Sequence, residues 1–474
     1  MRIPEGIGPF HIIGIGGIGM SAVAEILVEL GYDVQGSDQK ESANVDRLRK
    51  RGIRVFVGHD AVNLVGARYV VISSAVKPGN PELDAARLKG IPIISRAEIL
   101  AEIMRFCSTV SVTGTHGKTT TTSMIAHLFD SAGLNPTAMS GGIINDWGTN
   151  ARHGTGQWMV VEADESDGTF IRLPTEIGVV TNIDPEHLDY YGSVEAMHLA
   201  FRTFFERIPF YGCAVACIDH PVVRELLSEL HRENRRRVLT YGVAEDADVR
   251  PQIHGTEGQT THLDIHCGPR VKGGQRTIAG VSLPVPGHYN TLNALAAMTV
   301  CAEVGIPDEQ IRAGLATFGG VKRRFTHTGS WNGADFFDDY AHHPVEIEAV
   351  LKAARTTSKG RVIAIVQPHR YTRLRDLFDD FANSFGEADA VLVAPVYAAG
   401  EDPIDGYDHR TLADRIREIG GAGAIAIEMQ QEVAPVLSQI VQPGDLVIGL
   451  GAGSITEWSH ALPDQLAAVR RASA

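Results

Sequence analysis

The chain has 474 residues, about three times a typical domain, so three domains are expected, each large enough to bury its own core. Apolar residues are 44% and charged residues 21%, the balance of a soluble globular protein. Set against 57 Asp and Glu, the 43 Lys and Arg leave a formal charge of −14, the wrong sign for a nucleic-acid partner or an anionic membrane surface. Any anionic ligand must therefore be met by local design. Glycine is in excess, 50 residues where an average composition gives roughly 33, which points to glycine-rich turns between strands and helices.

The N-terminus MRIPEGIGPFHIIGIGG lacks the pattern of a secretory signal, and no apolar run approaches the ~20 residues of a membrane span. Membrane insertion is not expected. Cys107, Cys213, Cys217, Cys267 and Cys301 are odd in number and show no CxxC spacing, so they read as free thiols in a cytoplasmic protein. Cys213 and Cys217 share one face of an apolar strand pattern and are expected to be buried.

In chain order, the strands FHIIGI, YDVQGSD, IRVFVG, YVVISSAV and PIISR alternate with helical stretches such as MSAVAEILVEL, giving a nucleotide-binding-like domain over residues 1–106. CSTVSVTG opens a second unit, 107–320, continued by WMVVEAD, IGVVTNI and CAVACID and by the helical GHYNTLNALAAMTVCAEVG. The alternating polar pattern between 238 and 285 predicts antiparallel strands covering a sheet edge. FFDDYA, RVIAIVQ, AVLVAPV, AIAIEM and DLVIGLGA build a third unit over 321–474. The expected fold class is α/β, with mostly parallel sheets.

Two glycine loops carry the chemistry. GIGGIGMSA gives Gly14, Gly16 and Gly19 the spacing of a dinucleotide turn, and Asp38 follows where an acid can accept ribose hydroxyls; alone, this reads as NAD binding. VSVTGTHGKTTTTSMIAHLF is strand, loop and helix, with Gly114, Gly117, Lys118 and Thr119 placed to cradle phosphates, although two residues rather than four separate Gly114 from the Gly-Lys pair. A lysine at the positive end of a helix dipole makes sense when an anion is bound there. Glu162 ends the strand of WMVVEAD and His187 lies beyond IGVVTNI, both candidates for Mg²⁺ or γ-phosphate contacts, whereas Asp164, Glu165 and Asp167 read as solvated loop acids.

Later clusters add His288, Asn290 and Asn293, the two Asn on one helical face and able to bind a base or ribose, with N-capping as the alternative for Asn290. Arg323 and Arg324 stand at a domain boundary. FFDDYAHHP supplies Asp338, Asp339, Tyr340, His342 and His343, and QPHRYTR supplies His369, Arg370 and Arg373, suited to gripping a carboxylate.

With GTHGKTTT, EAD, TNIDPEHLD, GHYNTLN, VKRRF and DDYAHHP in this order, the whole chain resembles the Mur ligase family, and GIGGIGMSA, DDYAHHP and QPHRYTR are similar to its alanine-adding branch. That resemblance implies an N-terminal Rossmann-like UDP-sugar domain, a central P-loop ATPase domain and a C-terminal Rossmann-like domain. It implies ATP-dependent ligation of L-alanine to UDP-N-acetylmuramate through an acyl phosphate, with Mg²⁺, by a monomer or weak homodimer. It reassigns the first loop, Gly16, Gly17, Ile18 and Gly19, with Asp38, Ser73 and Ser74, to the UDP sugar. Gly114, Thr115, His116, Gly117, Lys118, Thr119 and Thr120 would hold ATP, with His288, Asn290 and Asn293 on the adenosine side and Arg324 and Asp339 reaching the nucleotide. Thr119, Glu162 and His187 would bind the metal; Tyr340, His342, His369, Arg370 and Arg373 would surround the amino acid and the acyl group. Lys118, His187, Arg324, Asp339 and His342 carry the catalytic expectation, with His342 or Asp339 accepting the amine proton. Related ligases place a carbamylated lysine about fifteen residues after the metal histidine; here that stretch is HLAFRTFFERI, with Arg202 near the position and no lysine from 119 to 271. Three alternatives stay open: a ligase joining a preformed peptide to the same sugar nucleotide, an NAD-dependent oxidoreductase, and a non-catalytic nucleotide switch.

Overall fold

The computed structural model describes residues 7–73, 75–232, 236–420 and 423–472. Two compact units divide it: Met1–Gln252 with Asp264–Val281 and Leu292–Gly319, and Ile253–Leu263 with Ser282–Thr291 and Gly320–Ala474.

Five short strands, β1 (Phe10–Ile13), β2 (Val34–Asp38), β3 (Arg54–Val57), β4 (Tyr69–Ile72) and β5 (Ile93–Ser95), form a sheet in the order β3-β2-β1-β4-β5. Every pairing is parallel. The chain reverses its direction of travel between β1 and β4, so a crevice opens beyond their C-terminal ends. The helix Ile18–Glu29 follows β1 and buries Met20, Val23, Ile26 and Leu27.

The second sheet contains β6 (Ser108–Thr113), β7 (Thr137–Ile144), β8 (Thr149–Arg152), β9 (Trp158–Glu162), β10 (Ile177–Val180), β11 (Cys213–Cys217), β12 (Val238–Tyr241), β13 (Val249–Glu257), β14 (Thr260–Cys267) and β15 (Arg276–Leu283). Their order is β15-β14-β13-β12-β11-β10-β6-β9-β7-β8. Central β6 has β9 and β10 as parallel neighbours, so the loops leaving these three strands gather at one sheet edge. The edge strands predicted between 238 and 285 are present, but β12 belongs to the parallel set, in register with β11. Only Gly258 and Gln259 link β13 to β14, a connection that antiparallel strands alone can use. The β7–β8 pair was not legible in sequence: Gly141-Gly142 interrupts TAMSGGII, TNAR is short and polar, and Asn150 owes its place to a tertiary contact, its Nδ2 donating to Ile18 O at 2.8 Å.

The third sheet has β16 (Thr326–Trp331), β17 (Ala334–Asp339), β18 (Val362–Val366), β19 (Ala390–Val393), β20 (Gly423–Ala426) and β21 (Leu446–Leu450), in the order β16-β17-β21-β18-β19-β20. All of it is parallel except the β16–β17 hairpin. That hairpin turns at Asn332-Gly333, both at positive φ, a dipeptide whose backbone twist suits a two-residue turn.

One apolar cluster runs through the first two sheets, from Ile12 and Ile26 to Met139, Val161 and Phe201. Separate clusters around Phe381 and Leu437 lie on the third sheet. Cys213 and Cys217 are buried on β11, and burial pushes their thiols up to about 12 and about 11. The fold is the expected α/β class with mostly parallel sheets.

Candidate active site

The first glycine loop lines a cavity of about 810 Å³ at the C-terminal ends of β1, β2 and β4. Gly17, Ile18, Gly19, Asp38 and Ser73 from the sequence reading all face it. Ser74 lies outside the described residues. Gly16 is not among the lining residues: its N–H donates to Asp38 Oδ2 at 2.9 Å, so Asp38 braces the loop with one oxygen while bordering the cavity. A side chain at Gly16 would collide with that carboxylate. Sequence reasoning missed the basic lining of Lys40, His59, Lys77 and Arg96, which lie on four separate segments with no motif to join them.

The second loop is held from β10. The His116 N–H donates to Asn182 Oδ1 at 2.7 Å, Thr115 N–H to Asn182 O at 3.1 Å, and Thr181 Oγ1 to His116 O at 2.6 Å. Gly114 at φ +124° and Gly117 at φ +85° take backbone shapes that only glycine adopts at little cost. Gly117 caps the Lys118–Ser131 helix, so Lys118, Thr119 and Thr120 form its first turn. Lys118 Nζ donates to Gly114 O at 2.6 Å, Thr115 O at 3.0 Å and Glu165 Oε1 at 2.8 Å. Burial works against its charge, but Glu165 and Asp164 outweigh burial and hold the ammonium above the ordinary lysine range. Asn293 accepts from Thr121 Oγ1 at 3.1 Å and sits against Gly117, where a Cβ would meet its Oδ1 at 2.6 Å.

The three expected metal residues fall into two groups. Thr119 Oγ1 donates to Glu162 Oε1 at 3.0 Å, and Glu162 Oε2 accepts the Gly141 N–H at 2.5 Å. Burial raises Glu162 above the usual carboxylate range, which an arriving cation would reverse. His187 stands instead with Glu165 and Glu186, its Nε2 3.8 and 3.9 Å from their carboxylates. Glu165 corrects the sequence reading: it is 2% exposed, not a solvated loop acid, because the loop after β9 folds it inward onto Lys118. Arg202 is turned to Glu206 and Glu229, at 3.1 Å from each.

In the second unit the loops after β17, β21 and β18 come from adjacent strands. Tyr340, His342, His369 and Tyr397 form a row of rings with successive centroids 5.2, 5.9 and 5.4 Å apart. Arg323 and Arg324 lie 4.8 and 5.1 Å from the Tyr340 ring. Arg324 is bracketed by two non-glycine residues at positive φ, Arg323 and Phe325, and Arg370 is another at φ +71°. Such strained backbone persists where the surroundings over-determine it, and it collects at functional sites. Arg373 Nη1 is 3.5 Å from His369 Nδ1. Burial, then His342, Arg373 and Arg370, depress His369 to about 4, so its ring is neutral near pH 7.

Asp339 is 2% exposed and its two oxygens accept the Ala341 and Phe325 N–H groups, at 2.8 and 2.7 Å. It ties the DDYAHH loop to the Arg324 turn. Asn290 donates to Pro286 O at 2.7 Å, fixing the start of the His288–Val304 helix, and His288 is exposed. The loop after β21 is tied to the Arg324 turn, with Gly451 O accepting from Arg323 Nη2 at 2.8 Å.

Three mostly parallel α/β sheets, a glycine-loop cavity and a phosphate-loop lysine beside oxygen donors define a nucleotide-dependent enzyme. The chain belongs to the Mur ligase family: residues 9–107 match the Mur ligase family catalytic domain, 112–301 the Mur ligase middle domain and 323–453 the Mur ligase glutamate ligase domain. A UDP-N-acetylmuramate--L-alanine ligase of Mesorhizobium japonicum is 59% identical over 99% of this chain and 100% of its own. One of Brucella anthropi is 57% identical over 98% and 99%. The UDP-N-acetylmuramate-alanine ligase MurC of Thermotoga maritima has a similar structure, with TM-score 0.80 and 28% identity over 98% of this chain and 99% of that one.

Proposed function

We propose that the protein joins L-alanine to the lactyl carboxylate of UDP-N-acetylmuramate with hydrolysis of ATP to ADP and phosphate, in peptidoglycan precursor synthesis. The observation that carries this reading is the phosphate loop, with Lys118 fixed at a glycine-capped helix start beside the Thr119–Glu162 pair, in a chain similar over its full length to ligases of that name. The oxidoreductase and switch alternatives use only one of the two glycine loops. A peptide-adding ligase is disfavoured by the same full-length likeness to alanine ligases. Domain limits of 1–106, 107–320 and 321–474 go with the proposal.

A carboxylate is a poor acyl donor because its charge repels nucleophiles and oxide leaves badly. Attack of the lactyl carboxylate on the γ-phosphate of ATP gives an acyl phosphate with a good leaving group. Lys118 and the helix-start amides would neutralise charge on the transferring group, and positioning and electrostatics carry most of the catalysis. Thr119 and Glu162 offer a hydroxyl and a carboxylate 3.0 Å apart, the hard oxygen donors that Mg²⁺ prefers, and would hold the ion. Bound there, Mg²⁺ supplies positive charge at the phosphates. The neutral amine of alanine then attacks the acyl carbon, phosphate leaves, and His342 accepts the amine proton. Tyr340, His369, Arg370 and Arg373 would hold the amino acid and acyl carboxylates.

The cavity lined by Gly17, Ser73, Lys40, Lys77 and Arg96 would take the UDP end, its bases answering the diphosphate within an acidic chain. Five free thiols fit a reducing compartment, and a monomer or weak homodimer in the cytoplasm is the accompanying proposal. No helix among the described residues is long and apolar enough to cross a membrane. The test is phosphate release from ATP with UDP-N-acetylmuramate and each of the twenty amino acids in turn. Release with alanine that depends on the sugar nucleotide is expected; release without the sugar nucleotide overturns the assignment.

A further inference from the structure

We propose that Asn150 is a positioning residue that sets the register between the two glycine loops, so that the acyl end of the sugar nucleotide meets the γ-phosphate of ATP. The inference rests on the reading of those loops as the UDP-sugar and ATP sites.

Three observations carry it. The first is the amide itself. Asn150, fully buried on β8, gives one N–H to Ile18 O at 2.8 Å and the other to Ser140 O at 3.4 Å. Its Oδ1 accepts from Arg47 Nη2 at 3.0 Å, and Arg47 Nε is held at 2.7 Å by Glu25, itself 1% exposed. A cation on Oδ1 leaves one orientation for the amide, with both N–H groups turned to the two carbonyls.

The second is the strand pairing, which opens at this residue. The β7–β8 register shifts between Met139 and Ile144, so residues 140–143 stand opposite Asn150 alone. Bulges of this kind re-aim the chain beside active sites. This one carries Gly141, whose N–H holds Glu162 Oε2 at 2.5 Å, while Glu162 Oε1 accepts from Thr119 Oγ1 at 3.0 Å. A side chain at Gly141 would collide with that carboxylate. A chain of hydrogen-bonded neighbours thus runs from Ile18 in the first loop through Asn150, Ser140-Gly141 and Glu162 to Thr119 beside the second.

The third is a cavity of about 100 Å³ along that chain, lined by Ile18, Gly19, Arg96, Gly141, Glu162 and Asp164. It shares Ile18, Gly19, Arg96 and Asp164 with the larger cavity proposed for UDP, and so leads from there to Glu162. Apolar packing of the Ile18–Glu29 helix on the second sheet is non-directional, whereas two hydrogen bonds from one amide give it a register. Register matters because a misplacement of about 1 Å between reacting groups costs about 10²-fold in rate.

Asn150→Asp tests this in the full chain: it keeps the size and the Arg47 contact but sets an oxygen against both carbonyls. The turnover number for ADP formation, per site titrated with UDP-N-acetylmuramate, is expected to fall by about 10²-fold. The Kd of UDP-N-acetylmuramate alone and of a non-hydrolysable ATP analogue alone, by calorimetry, should each stay within about threefold of wild type. Arg47→Met, which frees the amide to turn, should lower turnover by about tenfold with the same split, and it carries the test should Asn150→Asp fail to fold. A merely structural role would lower the number of titrated sites and leave turnover per site unchanged. Unchanged turnover per site in a folded variant therefore overturns the proposal, as does weakening of either ligand alone that matches the loss of rate. Ligation by wild type alongside either outcome leaves the proposed function standing, so the two failures are distinguishable.

Discussion

Lys118 shows how one side chain can be tied down before its substrate arrives. Two loop carbonyls and a buried carboxylate fix an ammonium that would otherwise sample many rotamers. Lys118→Ala is expected to lower ADP formation by ~10³-fold or more, since it removes charge stabilisation of the transferring phosphoryl group. UDP-sugar binding, measured by calorimetry, should persist, because the cavity that takes it uses none of the Lys118 loop. His369 gives a residue-scale pH prediction. Its folded value of about 4 lies below the ordinary 6.5, so the folded chain binds fewer protons than the unfolded chain between those values. The stability its neutral ring contributes is complete above pH 6.5 and is lost as pH falls towards 4. Asp339, raised by burial to about 6, acts in the opposite sense: its contribution is complete below the unfolded value of about 3.9 and is lost as pH rises through 6. Thermal melts of His369→Gln and Asp339→Asn between pH 4 and 7 should deviate from wild type with opposite slopes.

Elements act by where their strands end. β6 lies between β9 and β10, so the phosphate loop, Glu162 and the Asn182 and His187 segment share one edge although they are far apart in sequence. In the second unit β17, β21 and β18 play the same part for Asp339, Gly451 and His369. Gly117 is the joint of the first arrangement. Gly117→Ala forces a side chain into the left-handed region, at about 1–2 kcal/mol, and drives its Cβ against Asn293 Oδ1. We expect a raised KM for ATP and a lower denaturation midpoint. A second substitution, Asn293→Ala, should recover only part of the stability loss, since it relieves the collision and not the backbone strain; full recovery would mean that the collision alone matters.

The whole molecule is organised by its cores. The cluster joining the first two sheets places residues of the first sheet, Ile12 and Val71, in one apolar body with Met139, Val161 and Phe201 of the second segment. The helix Ile18–Glu29 is further tied to β8 by Asn150, which also accepts from Arg47 Nη2 at 3.0 Å. The third sheet has its own buried clusters, from Phe325 to Leu466. An isolated 320–474 fragment is therefore expected to unfold cooperatively, while 1–106 alone should lose its cooperative transition, because the face of its helix that packs on the second sheet is left in water. Urea melts of the two fragments followed by circular dichroism check this. Cooperative unfolding of 1–106 would show that its own core suffices.

Sequence alone determined what depends on neighbours along the chain. Apolar runs marked most strands, glycine spacing marked both loops, and the ordered motifs marked the family. Gly114 and Gly117 were readable because a positive φ demands glycine and leaves that letter in the sequence. The β16 strand was not read from the sequence: THTGSW by itself has no strand pattern, and the hairpin shows only in its pairing with β17. Tertiary structure alone decided which polar residues are buried and what they face. Glu165 and Asp167 occupy the same acidic loop, yet only the fold turns one onto Lys118 and leaves the other to cap Thr169, whose N–H it accepts at 3.1 Å. Lys40, His59, Lys77 and Arg96 meet at one cavity because β1 and β4 are neighbours, and strand order is set by packing between segments that carry no local record of one another.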